Sequence, residues 1–206
     1  NQVAQHCGIN QVWISGSPKH GLLIDGFGEK MKFEQVISYG NSGDGIRVNT
    51  NDALNGLIFD NCNSQSNKGY GFIQETTEKN AQIWGTVIRD CTIQGNGDIE
   101  AAELGYVCAS RYENVWIENP KATKLFYSDM KTFADVSRYP QGLWIGGNSV
   151  ITFANNAKNK FNAIELRVSL NPVIDSCWIP NGLLAWNSDK GANWYLGQKP
   201  VGQLRF

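Results

Sequence analysis

Four segments share one hydrophobic and polar pattern in which a glycine is followed by a strand-like alternation: Gly21-Leu22-Leu23-Ile24-Asp25, Gly45-Ile46-Arg47-Val48-Asn49, Gly71-Phe72-Ile73-Gln74-Glu75 and Gly105-Tyr106-Val107-Cys108-Ala109. Gly182-Leu183-Leu184 is a late echo. A period of two places the first and third strand side chains on one side and those between on the other. Each copy is therefore expected to be a short strand with one buried face. The segments feeding two of them, Asn41-Ser42-Gly43-Asp44 and Ser66-Asn67-Lys68-Gly69, carry the Gly and Asn residues that tolerate a positive φ, and they predict tight turns.

A second phrase interleaves with the first. Phe59-Asp60-Asn61-Cys62, Ile88-Arg89-Asp90-Cys91 and Ile174-Asp175-Ser176-Cys177 read apolar, polar, polar, cysteine. Looser copies contain Val12, Val36, Val115 and Val150, and the average spacing from Val12 to Val173 is about 27 residues. A unit of this size built from short strands cannot bury its own apolar face, but stacked units pair strand on strand around a common core. The expected fold is all-β, a parallel β-helix of about seven coils. It spans residues 1–186, with 187–206 as a C-terminal cap or a lead into a further domain. The chain starts at Asn1 with no obvious N-terminal cap, so a piece of a longer protein is expected.

This repeat style resembles right-handed parallel β-helix proteins of the pectate-lyase-like superfamily, and within it the bacteriophage tailspikes and capsule depolymerases. The resemblance covers residues 5–185. It implies a homotrimer on a virion tail, outside the cell, that binds and hydrolyses a bacterial surface polysaccharide with carboxylates and no cofactor. The pectate lyase and polygalacturonase branch is matched less well: Asn49-Thr50-Asn51-Asp52 only echoes the polygalacturonase signature, and its Asp pair, Gly-His-Gly and Arg-Ile-Lys are missing. A non-catalytic structural or adhesive spike, and a secreted monomeric lyase or hydrolase, are the alternatives.

Composition narrows the partners. Charged residues are 18% of the chain and the net charge is −1, so no basic field exists to hold a phosphate backbone, and nucleic acid is not expected. No run of about twenty apolar residues would insert in a membrane. The 22 Gly and 22 Asn imply frequent turns, and 29 Ile and Val against 13 Leu favour strands. The five cysteines lack paired short spacings, so neither a disulfide framework nor a zinc site is expected. Cys62, Cys91 and Cys177, at the same place in three coils, read as a buried column of small residues.

Candidate chemistry lies on outward positions. Asp25, Asn49 and Glu75 end successive copies of the glycine phrase, so Asp25 and Glu75 should stand two coils, about 9 to 10 Å, apart. That is close to the carboxyl separation of an inverting glycosidase. Arg47, outward on the same strand as Asn49, could grip an acidic sugar. A rival carboxylate, Glu100, sits in the acidic stretch between Gln94 and Leu104. Trp13, Trp116 and Trp178 each stand between inward residues and must point outward, ready to stack on sugar rings or to fill a subunit interface. The candidate site is thus Glu75, Asp25 and Glu100 for catalysis, with Arg47, Asn49, Trp13, Trp116 and Trp178 for substrate.

Overall fold

The computed structural model describes the backbone of residues 4–76, 82–97 and 110–118, and beyond them the strands Lys124–Ser128, Trp144–Gly146, Val150–Thr152, Asn162–Leu166, Val173–Ile174, Leu183–Trp186 and Tyr195–Leu196. Every strand pairing in it is parallel and joins successive copies of the repeat, which makes a parallel β-solenoid. Among the described residues there is no helix.

One turn of the coil uses four strand segments. A first arm and a second arm form a continuous bent strand in Gly8–Ser15 and Lys32–Tyr39 and separate strands in Ile58–Asp60 and Asn63–Gln65, in Thr86–Arg89 and Thr92–Gln94, and in Ser110–Glu113 and Trp116–Glu118. The glycine phrase makes the third face, Leu22–Asp25, Ile46–Thr50 and Phe72–Thr76. Short strands such as Ala53–Asn55 and Gln82–Trp84 close the turn. Hydrogen bonds linking equivalent residues of adjacent turns span 24, 26, 29 and 24 residues along the stack. About four turns are described, not the expected seven. From Trp116 to its partner Val150 the interval lengthens, and past Glu118 isolated strands are described without the segments that would close them.

The core is a set of columns. Phe33, Phe59, Ile88 and Tyr112 align on the first arm, and the Phe33 and Phe59 rings stack at 4.9 Å while Phe72 meets Phe59 edge-on at 5.0 Å. On the second arm Val12, Val36, Cys62, Cys91 and Val115 fall in one column, the register being set by Ile37 against Asn63 and Thr92 against Trp116. Cys62 and Cys91 are buried and carry no disulfide. The Cys62 thiol beside it, and then burial, push the Cys91 thiol well above the ordinary range, as suits a small residue packed in the core. Cys177 lies outside the described residues.

A second column is polar. Asn41, Asn67 and Asn96 are buried at the turn between the second arm and the third face. The Asn41 backbone N–H and side-chain amide both donate to Asn67 Oδ1, at 3.0 and 2.7 Å, and Asn67 repeats both bonds to Asn96 Oδ1. Each asparagine therefore satisfies the backbone of the coil before it, which no aliphatic side chain could do in a buried turn. The positive φ of these turns is carried instead by the preceding Gly40 (64°) and Ser66 (57°). This corrects the expectation that the Gly and Asn within the two turns supply it: Gly43 and Gly69 are not at positive φ, and the Asn41 and Asn67 amides are needed inside.

Candidate functional site

The bend between the two arms is built from a column of non-glycine residues in the left-handed region: Gln11, Gln35, Asn61, Asp90 and Asn114, with φ between 48° and 57°. Asn and Asp tolerate this conformation and Gln is less suited to it, so the stacking of neighbouring coils must hold the bend. Asn114 Nδ2, for example, donates to Asp90 Oδ1 at 2.5 Å. The bend tilts the first arm away from the second and leaves a groove of about 510 Å³ along the outside of the second arm. One wall is the column Gln11, Gln35, Asn61 and Asp90. The floor is the outward column Trp13, Ile37, Asn63 and Thr92.

Trp116 is the next member of that floor column, paired with Thr92. Trp13 is 70% exposed and Trp116 43%, so two indoles expected separately from sequence prove to share one face, about 19 Å apart at four strand spacings. Trp116 is steadied by its Nε1–H, which donates to Glu118 Oε2 at 3.0 Å. Asn63 Oδ1 is buried with no hydrogen-bond partner. The sequence reading missed Asn63, Thr92 and the wall residues. The available signal was that each wall residue immediately precedes an inward Val or Cys of the repeat.

The first arm is charged on its outer side. Asp60 accepts from Arg89 at 2.5 Å and lies 3.4 Å from Lys32 Nζ, which also contacts Glu34 at 2.9 Å. The Arg89 hydrogen bond first, then its charge and Lys32, outweigh partial burial and hold the Asp60 carboxyl below its ordinary range. A depressed carboxyl pKa stabilises the fold above its unfolded value, and that contribution disappears as pH falls through the folded value. Urea unfolding from pH 6 downward is thus expected to lose about 1 kcal/mol more in the parent than in Asp60→Asn once the ordinary aspartate range is passed. Equal losses would refute this role.

The carboxylate column forms as the sequence predicts: Asp25 pairs with Asn49 and Asn49 with Glu75 in register, on three adjacent strands. Two strand spacings put the Asp25 and Glu75 backbones about 9 to 10 Å apart. Asn49 Nδ2 lies 3.4 Å from Asp25 Oδ1. Arg47, however, is committed: Nη1 donates to the buried Asp44 Oδ2 at 2.6 Å and Nη2 is ion-paired with Glu75 Oε2. Asp44 in turn accepts from the Tyr70 backbone N–H at 2.8 Å, and its own N–H donates to His20 Nδ1 at 3.1 Å. Arg47 thus straps one turn to the next. In this arrangement it is not open to an acidic sugar.

The groove and the carboxylate column occupy different faces, separated along each coil by the row of asparagine turns. Trp13 and Trp116 are brought together, as are Asp25, Asn49, Glu75 and Arg47, but the two sets do not form one site. Glu100 and Trp178 lie outside the described residues. Among the described residues no three His, Cys, Asp or Glu side chains group as metal ligands. No family model, curated protein or solved structure matches this chain.

Proposed function

We propose that this chain is a polysaccharide-binding solenoid of the spike type, a trimeric right-handed β-helix on a phage tail that grips a bacterial surface glycan along the second-arm groove. The observation that carries the reading is the floor column, where two exposed indoles bracket Ile37, Asn63 and Thr92 beside a wall of three side-chain amides and the Asp90 carboxylate. Indole faces stack on pyranose rings, and amides and hydroxyls pair with sugar hydroxyls. An array of this kind, repeated at the strand spacing, suits an extended polymer. Trp13→Ala is expected to weaken binding of the cognate polysaccharide about tenfold, measured by calorimetry, with the molar mass by light scattering unchanged. Unchanged affinity would remove the groove from the reading. A fall in mass with the same variant would make this face a subunit interface.

Hydrolysis is the second reading, favoured by the register of Asp25 and Glu75 on the third face. One carboxyl would protonate the leaving oxygen while the other activates water, the two backbones standing about 9 to 10 Å apart, near the upper end of the carboxyl spacing for inversion. Glu75→Gln is expected to abolish the appearance of new reducing ends while leaving binding intact. Full cleavage by that variant would exclude Glu75, and no cleavage by the parent would leave an adhesive spike.

A further inference from the structure

Resting on the glycan-binding reading of the groove, we infer that its ligand is an uncharged polysaccharide, rich in hydroxyl and amide groups, and that acidic glycans are excluded. Acidic sugars are held by cations, above all by guanidinium groups that meet a carboxylate with two parallel hydrogen bonds. Among the described residues, none that lines the groove is a cation. Its single charged member is Asp90, in the wall, and Glu118 adds a second negative charge beside Trp116 at the far end.

Three described guanidiniums on the neighbouring faces are already paired. Arg89, adjacent to Asp90 in the chain, is paired with Asp60, and Arg111 with Glu113, both on the outside of the first arm. Arg47 is held between Asp44 and Glu75 on the third face. Freeing Arg47 would leave the buried Asp44 without its guanidinium, which is costly, and freeing Arg89 would leave Asp60 with Lys32 alone. An anionic polymer laid along the floor from Trp13 toward Trp116 would therefore meet Asp90 and Glu118 with no cation among the described lining residues to offset them. A neutral polymer meets the amides of Gln11, Gln35, Asn61 and Asn63, which donate and accept. Binding of this kind owes little to long-range charge, so it should resist salt.

The test is a printed panel of bacterial surface polysaccharides, half of them uncharged and half bearing uronate, sialate or phosphate groups, probed with the parent chain, Trp13→Ala and Asp90→Asn. Asn is well tolerated at the positive φ of position 90, so this variant removes a charge with little strain. Binding that depends on Trp13, is confined to uncharged polymers and changes less than twofold between 50 and 500 mM salt is expected. Asp90→Asn should admit acidic polymers several-fold better than the parent does. Trp13-dependent binding to acidic polymers by the parent would overturn the inference and leave the glycan-binding reading intact. An absence of Trp13-dependent binding across the whole panel would overturn both.

Discussion

Gly45→Ala is expected to be among the most damaging single-methyl changes in the chain, costing about 3 kcal/mol or more in urea unfolding. A Cβ at this position would lie 1.9 Å from Ser64 Oγ, 2.6 Å from Asn67 Nδ2 and 2.8 Å from the Gly71 carbonyl oxygen. None of these can step aside freely. Ser64 Oγ donates to that same Gly71 carbonyl at 2.7 Å, and Asn67 is locked in the asparagine column. Overpacking alone costs about 1 to 3 kcal/mol, and here relief of the clash also breaks buried hydrogen bonds. Against a total stability of about 5 to 15 kcal/mol this is a large fraction. Ser64→Gly in the same chain should restore part of the loss by removing the nearest atom. Gly40→Asn tests the contrast: its φ is 64° but the space beside it is open, so a cost below about 1 kcal/mol is expected. Similar losses for Gly45→Ala and Gly40→Asn would show that backbone freedom, not close approach, explains the glycine at 45.

Asn67→Ala should cost about as much, roughly 3 kcal/mol, by a different route. Its Oδ1 receives two hydrogen bonds from Asn41, and its amide nitrogen lies within bonding distance of Asn96 Oδ1, Ser64 Oγ and the Ser38 carbonyl. Truncation leaves the Asn41 N–H and amide buried with nothing to replace the partner, and each orphaned buried group costs about 1 to 3 kcal/mol. Asn67→Asp keeps the shape but loses both donors and sets a charge against Asn96 Oδ1, so it should be at least as harmful. Lys68→Ala, one residue on and exposed, is the control, expected within about 0.5 kcal/mol. If Asn67→Ala unfolds at the same urea concentration as Lys68→Ala, the column does not support the stack.

Both predictions concern the same turn, and they explain why it can be so short. The glycine lets the third face start against the second arm, Ser64 and its counterpart Ser38 bond the carbonyls of Gly71 and Gly45, and the asparagine amides close the remaining gaps. The groove on the second arm and the carboxylates on the third face are held on either side of this seam. A change that loosens the seam should therefore disturb both surfaces together, while Trp13→Ala or Glu75→Gln should leave it intact.

Much of this was legible in the sequence because a solenoid converts repeat phase into spatial register. Once the glycine phrase recurs, Asp25, Asn49 and Glu75 must line up, and the structure pairs them so. The alternation around Val12 and Val115 likewise sends Trp13 and Trp116 outward, and the repeat of Val and Cys marks one inner column. These are local consequences of a strand period of two and a coil period of about 27 residues.

What only the tertiary structure decided is everything that depends on the lateral meeting of different parts of a coil. Polar residues at a bend and polar residues at a turn look alike in sequence, yet Asn61 lies exposed at the left-handed bend while Asn67 is buried and bonded to its neighbours above and below. Arg47 reads as a free outward cation until Asp44 and Glu75 are seen on either side of it. Nor could the placing of the indoles and the carboxylates on separate faces be read from a repeat, which fixes position along the stack but not the angle through which each corner turns. That angle comes from the left-handed residues and the packing that holds them, and these are settled only when the coils close on one another.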